Sequence, residues 1–132
     1  MKVLHIVTHL GDGVGRVLSA ISQYRIQHKQ DIEMSFICLE QNHDTRAINL
    51  IRSYNIPVYV TPSQNLVNYL IQETDITHID WWNHPLMMQF MATTIINSRV
   101  ILWSHTSGYH YPSIPQSLID YGDRFLFTAP LS

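Results

Sequence analysis

Charge is what this sequence has least of. Only 14% of its 132 residues are Asp, Glu, Lys or Arg, the formal net charge is −2, and the basic residues stand singly. Without a basic stripe to neutralise phosphates, nucleic-acid binding and a polybasic membrane anchor both lose their main electrostatic support. Cysteine is nearly absent too: Cys38 is alone, so an internal disulfide is excluded and a reducing compartment is expected. Cys38 lies in the apolar run "MSFICL", which points to a buried structural thiol. Long apolar runs are missing as well, and none approaches the roughly 20 residues of a transmembrane helix. The opening "MKVLHIVTHL" is broken by His5 and His9 and lacks the small-residue cleavage site of a secretory leader. A cytoplasmic protein is expected, at most peripheral at the inner face of the membrane.

What the sequence does have is 45% apolar residues on a chain of single-domain length, enough to bury a sizeable core and too many for disorder. Short apolar runs predict strands at 2–8, 33–39, 57–60, 76–82, 99–104 and 124–128. Helical spacing fills the intervals. Val17, Leu18, Ile21 and Tyr24 mark a helix from Val14 to about His28, and Asp44 is placed to cap one whose Ala47, Ile48, Ile51 and Tyr54 face the core. Thr61-Pro62-Ser63-Gln64 has capping-box spacing with Pro at the first helical position, followed by Leu66, Val67, Leu70 and Ile71 on one face. Asn83 is placed to cap a helix carrying Leu86, Met87, Phe90, Met91 and Ile95, and Ser113 with Gln116 repeats the capping-box spacing before a short helix.

Such alternation predicts an α/β fold: a Rossmann-like, doubly wound, mainly parallel sheet of about six strands with helices on both faces. The final "TAPLS" follows directly on a strand with no closing helix, which suggests an end cut inside a larger protein.

Open α/β sheets bind ligands beyond the carboxyl ends of their strands, where the strand order reverses. That rule gathers His9 and the glycine loop Gly11, Asp12, Gly13, Gly15 after the first strand. It adds Glu40 after the second, Asn83 and His84 after the fourth, and His105, Ser107, Gly108 and His110 after the fifth. The first and fourth strands are expected to be neighbours, with the fifth beside the fourth, so these residues share one rim.

The loop spacing is G-x-G-x-G, with Arg16 where a dinucleotide fingerprint has its third glycine, and no P-loop G-K-[ST] ending follows. It can offer free backbone N–H groups to an anion at a helix N-terminus, or be a tight turn with no ligand. Among the eight histidines no H-x-x-x-H on a helix and no H-E-x-x-H pattern occurs, and no metal is expected. His5 and His78, within strands, read as hydrogen-bonded core residues. His105 directly follows the apolar "VILW", which sends its imidazole to the rim, where it can hydrogen-bond a substrate hydroxyl or steady developing charge. Trp81 and Trp82 point to opposite faces of a strand, so at least one is core.

Two stretches are similar to a known family. "MKVLHIVTHLGDGVGRVLSAI" resembles the opening strand, glycine loop and first helix of glycosyltransferase family 4 (glycosyl transferases group 1), two-domain enzymes of the GT-B type. "VILWSHTSGYHYPSIPQSLIDYGDRFLFTAPLS" resembles their strand–histidine segment and the strand after it, and "DWWNHP" their fourth strand and exit loop. The resemblance spans the chain and implies an N-terminal, acceptor-side domain over 1–132, with the C-terminal donor-binding domain absent. It implies that Gly11 to Gly15 approach the diphosphate of a nucleotide sugar and that His105 sits near the transferred sugar. It further implies transfer to a glycan or lipid-linked acceptor, in cell-surface polysaccharide synthesis, with no metal or other cofactor. The family's pair of glutamates with seven residues between them, in its C-terminal domain, is not found here (Glu33 and Glu40 are one residue too close), so the fragment alone is expected to be inactive.

Two other readings stay open. A nicotinamide-dependent oxidoreductase domain would use Glu40 as its ribose-binding acid. A non-enzymatic Rossmann-like binding module would be complete at Ser132.

Overall fold

The computed structural model describes residues 1–107 and 110–127. β1 (Lys2–Val7), β2 (Glu33–Cys38), β3 (Val58–Val60), β4 (Ile76–Asp80), β5 (Arg99–Trp103) and β6 (Arg124–Leu126) alternate with α1 (Asp12–Gln27), α2 (Arg46–Ser53), α3 (Gln64–Gln72), α4 (Pro85–Thr93) and α5 (Gln116–Ile119). The six strands form one sheet in the order β3-β2-β1-β4-β5-β6, and every pairing is parallel. This is the expected Rossmann-like α/β fold.

Side chains alternate across each strand, so the sheet has two buried faces and two cores. On one, Leu4, Ile6, Ile37, Ile79, Val100 and Leu102 meet Val67 and Ile71 of α3, Met87 and Phe90 of α4, and Leu118 of α5. On the other, Val7, Met34, Phe36, Cys38 and Val58 meet Leu18 of α1 and Ile48 and Ile51 of α2. Cys38 is fully buried, and that burial pushes its thiol up to about 11.

The first helix departs from the expected face. Its buried residues are Gly15, Leu18, Ser19 and Ser22, while Ile21 and Tyr24 are exposed. The apolar spacing misled because α1 packs through small residues. A Cβ at Gly15 would lie 2.0 Å from the Leu10 carbonyl oxygen, and Ser19 and Ser22 turn their hydroxyls back onto the carbonyls of Gly15 and Leu18 at 2.7 and 2.8 Å.

Helix starts differ too. Ser63, not Thr61, caps α3, accepting from the Leu66 N–H at 3.3 Å. His84, not Asn83, caps α4 through its ring Nδ1, with Pro85 in the first turn. Asp44 accepts from the Arg46 N–H at 3.0 Å, although Thr45 holds the cap position of α2. Pro115 rather than Ser113 precedes α5. α4 ends at Thr93, which leaves Ile95 outside the helix and exposed. β4 ends at Asp80, so Trp81 and Trp82 lie beyond the strand, and Trp82 is the core residue of the two. β6 spans three residues of the expected five, and Thr128 and the "TAPLS" tail fall outside the described residues. No helix among the described residues is long and apolar enough to cross a membrane.

Candidate functional site

The strand order reverses between β1 and β4, and a cleft opens there at the carboxyl ends of the strands, as the topology requires. Its volume is about 460 Å³. The glycine loop and the start of α1 form one wall, with Gly11, Asp12, Gly13 and Val17; Trp81, His84, His105 and Thr106 form the other, and Thr8 and Asp80 lie between them.

Each wall has a local cause. No side chain caps α1, whose N-cap position is held by Gly11, so the first turn offers backbone N–H groups and the positive end of the helix dipole to the cleft. Space for a Cβ is open at Gly13, whereas Gly15 is buried against Leu10. Gly15 therefore does the close-packing work that the third glycine of a dinucleotide fingerprint does one position later. Asp12 (φ 53°), Trp81 (φ 60°) and His105 (φ 54°) all adopt the left-handed conformation. For a bulky residue that conformation costs about 1–3 kcal/mol, and such strain gathers at functional sites.

The rim carries a second group of titratable side chains. Glu40 Oε1 lies 4.0 Å from His9 Nε2 and 3.9 Å from His84 Nε2. His9 Nδ1 accepts the Gly11 N–H at 3.0 Å and His84 Nδ1 accepts the Leu86 N–H at 3.2 Å. With Nδ1 engaged as an acceptor, each neutral ring carries its proton on Nε2, facing Glu40. That tautomer turns both N–H groups toward Glu40, though beyond hydrogen-bond distance, and takes both Nε2 atoms away from metal ligation.

Beneath the cleft lies a network of which sequence reasoning identified only parts. In register, His5 on β1 pairs with His78 on β4, and Asp80 follows two residues later on the same face. The Asp80 carboxylate is fully buried. Its Oδ2 accepts from His5 Nδ1 and His78 Nδ1, each at 3.0 Å, and its Oδ1 from His105 Nε2 at 3.0 Å. Burial alone would raise the Asp80 carboxyl, but the attraction of His78 and the three hydrogen bonds outweigh it and hold the group well below the usual carboxylate range. Burial also lowers His5, against the pull of Asp80.

Rings extend the network across the sheet. His5 stacks on Phe36 at 4.8 Å and lies 4.7 Å from His78, while Trp103 stacks on His105 at 4.2 Å. The ligand atoms of His5, His78 and Asp80 lie within 4.8 Å of one another, close enough to be considered for a cation. Hydrogen bonds onto one carboxylate account for the grouping.

The expected core roles of His5 and His78 are what the structure shows. Of the rim residues, Gly11, Asp12, Gly13, His84 and His105 meet at the cleft, and His9 joins them. Asn83 lies in the β4–α4 turn without lining the cleft, Ser107 follows Thr106, His110 is exposed, and Gly108 falls outside the described residues. Asp80 was missed, although "THID" carries the signal: a polar pair at alternate positions of an otherwise apolar strand requires a buried partner. Thr8 and Thr106 were missed as well. Their hydroxyl oxygens are buried and have no hydrogen-bond partner among the described residues, and hydroxyls carry no such signal in sequence. No protein-family model matches the chain, and a search of curated proteins returned no match.

Proposed function

We propose that this chain is the N-terminal, acceptor-side domain of a nucleotide-sugar-dependent glycosyltransferase of the GT-B type, acting on a glycan or lipid-linked acceptor. The observation that carries the reading is the cleft at the β1/β4 crossover, with an uncapped helix N-terminus on one wall and His105 on the other. A diphosphate suits the first wall, because free N–H groups and the helix dipole favour an anion. Sugar hydroxyls suit the second, where His105 lines the cleft and its imidazole can exchange hydrogen bonds with them. Backbone N–H groups, the dipole and cations of a second domain would offset leaving-group charge, so the reading calls for no metal. On this reading the enzyme works in the cytoplasm, in reach of the inner membrane face.

The nicotinamide alternative needs Glu40 as acceptor for a ribose diol. Two imidazole N–H groups already face that carboxylate, which weakens the case.

Backbone resonances of the isotope-labelled chain, titrated with a panel of nucleotide sugars and with NAD, test the assignment. The expected result is weak binding of a nucleotide sugar that shifts Gly11 to Val14 and His105, with no turnover by the chain alone. Saturable NAD binding lost on Glu40→Ala would replace the reading by the oxidoreductase one. Silence toward every nucleotide sugar and toward NAD would favour a binding module of another kind.

A further inference from the structure

We propose that Asp80, held by His5 and His78, is a positioning residue that sets the tautomer of His105 and makes His105 Nδ1 a hydrogen-bond acceptor for a substrate hydroxyl; the substrate half of this inference rests on the sugar-transfer reading above.

The inference starts from satisfaction of a buried charge. A carboxylate with no exposed surface has to be paired, and each group nearest its oxygens has to be a donor. Two imidazoles on Oδ2 leave Oδ1 to His105. His105 Nε2 is therefore the protonated nitrogen, and the neutral ring has its lone pair on Nδ1. The same logic governs a carboxylate behind a catalytic histidine: it orients the ring and stabilises the cation formed when the ring takes a proton, without itself becoming protonated.

Three further constraints hold the ring. The Asp80 backbone is fixed in β4 opposite Trp103 of β5. The Trp103 indole stacks on the His105 ring, 24° from parallel. The left-handed backbone at His105 turns the chain out of β5 immediately after Trp103 and Ser104. His5 and His78 act one step further back. By filling Oδ2 from two neighbouring strands they prevent the carboxylate from rotating away, and a sheet with apolar residues at those positions would leave Oδ2 buried and unpaired. The groups that face Asp80 are thus His5 from β1, His78 from β4 itself and His105 from the β5 exit.

Long-range nitrogen–proton correlation spectra of the histidine-labelled chain near neutral pH test the positioning directly and need no variant. The expected spectrum shows His105 protonated at Nε2 and bare at Nδ1. A His105 protonated at Nδ1 would overturn the proposal. Asp80→Asn, where folded, should shift the ring toward the Nδ1–H form, and an unchanged tautomer would also overturn it. His78→Gln, which keeps a donor near Oδ2, should leave the His105 tautomer unchanged; a switch to the Nδ1–H form in that variant would overturn the role given to the shared oxygen. In the complete enzyme assayed with a nucleotide sugar, Asp80→Asn should lower kcat by about 10²-fold with KM little changed. No nucleotide-sugar turnover by the complete wild-type enzyme, alongside the expected tautomer, would remove the sugar-transfer reading and the substrate half of the proposal while leaving the positioning intact.

Discussion

The two faces of the sheet are built on opposite principles. Under α3, α4 and α5 the buried face is mostly aliphatic along β1, β4 and β5, with Leu4, Ile6, Ile79, Val100 and Leu102, and its one polar member there, Thr77, is satisfied by Ser98 at 2.7 Å. On the opposite face the same three strands present His5, His78, Asp80 and Trp103, joined by hydrogen bonds and, between His78 and Trp103, an edge-to-face ring contact. The first face tolerates substitution in proportion to lost volume. The second has to be satisfied as a unit, because removing one member leaves another buried and unpaired. The difference also bears on the cleft, which Asp80 and His105 line.

The largest expected effect tests this contrast. Asp80→Ala, which removes the acceptor of three imidazoles, should cost about 3–5 kcal/mol in urea unfolding near neutral pH. Leu102→Ala, on the aliphatic face, should cost about 2–5 kcal/mol by leaving a cavity. The two separate by pH rather than by size: the Leu102 penalty should be the same at mildly acidic and neutral pH, whereas the Asp80 penalty should grow as pH falls, because the variant loses the pull that favours charged His5. Equal pH profiles would mean that the buried network does not behave as a charged unit.

Next comes a pair within the glycine loop. Gly15→Ala drives a Cβ into the Leu10 carbonyl and should destabilise by about 1–3 kcal/mol, the range for overpacking. Gly13→Ala meets open space and should gain up to about 1 kcal/mol from helix propensity. On the sugar-transfer reading Gly13→Ala should weaken nucleotide-sugar binding all the same. Thermal unfolding of both variants with a ligand titration of the second checks the division of labour.

The acid response of the wild-type chain is a further check. His5 titrates lower in the folded chain than its ordinary value of 6.5, because burial disfavours its charged form. The unfolded chain therefore binds more protons below pH 6.5, and its contribution makes stability fall as pH drops through that value. Asp80, held low, begins to lose its own contribution as pH falls through the ordinary carboxylate value of 3.8, where the unfolded chain takes up the proton first, and the loss continues down to its folded value. His5→Phe should flatten the upper part of the profile, which urea midpoints taken across the acid range would show. The smallest effect is the loss of a cap: His84→Ala should cost about 1 kcal/mol, with α4 fraying first in amide exchange.

Much of the fold was legible because its signals are local. Strand runs, helix spacing and loop positions reported the β-α alternation, and the alternation implies a parallel sheet with a cleft at its crossover. His84 acting as the α4 cap was less legible, since an imidazole nitrogen accepting a backbone N–H looks in sequence like any other histidine. The buried face of α1 was misread for a related reason. Close packing selects Gly15, Ser19 and Ser22, whose smallness carries no hydropathy signal, and leaves Ile21 and Tyr24 outside.

By itself, then, the sequence determined the class of fold, the succession of strands and helices, the adjacency of the first, fourth and fifth strands and the place of His105 just past the carboxyl end of the fifth. These follow from hydrophobic periodicity and from the right-handedness of parallel crossovers. Only the tertiary structure decided that His105 has a buried carboxylate behind it, that Glu40 faces two imidazoles, and that the Thr8 and Thr106 hydroxyls are buried without partners among the described residues. Each of these is a relation between residues on different strands or loops. It depends on register and on the approach of neighbouring strands to within about 5 Å, which no single stretch of chain encodes.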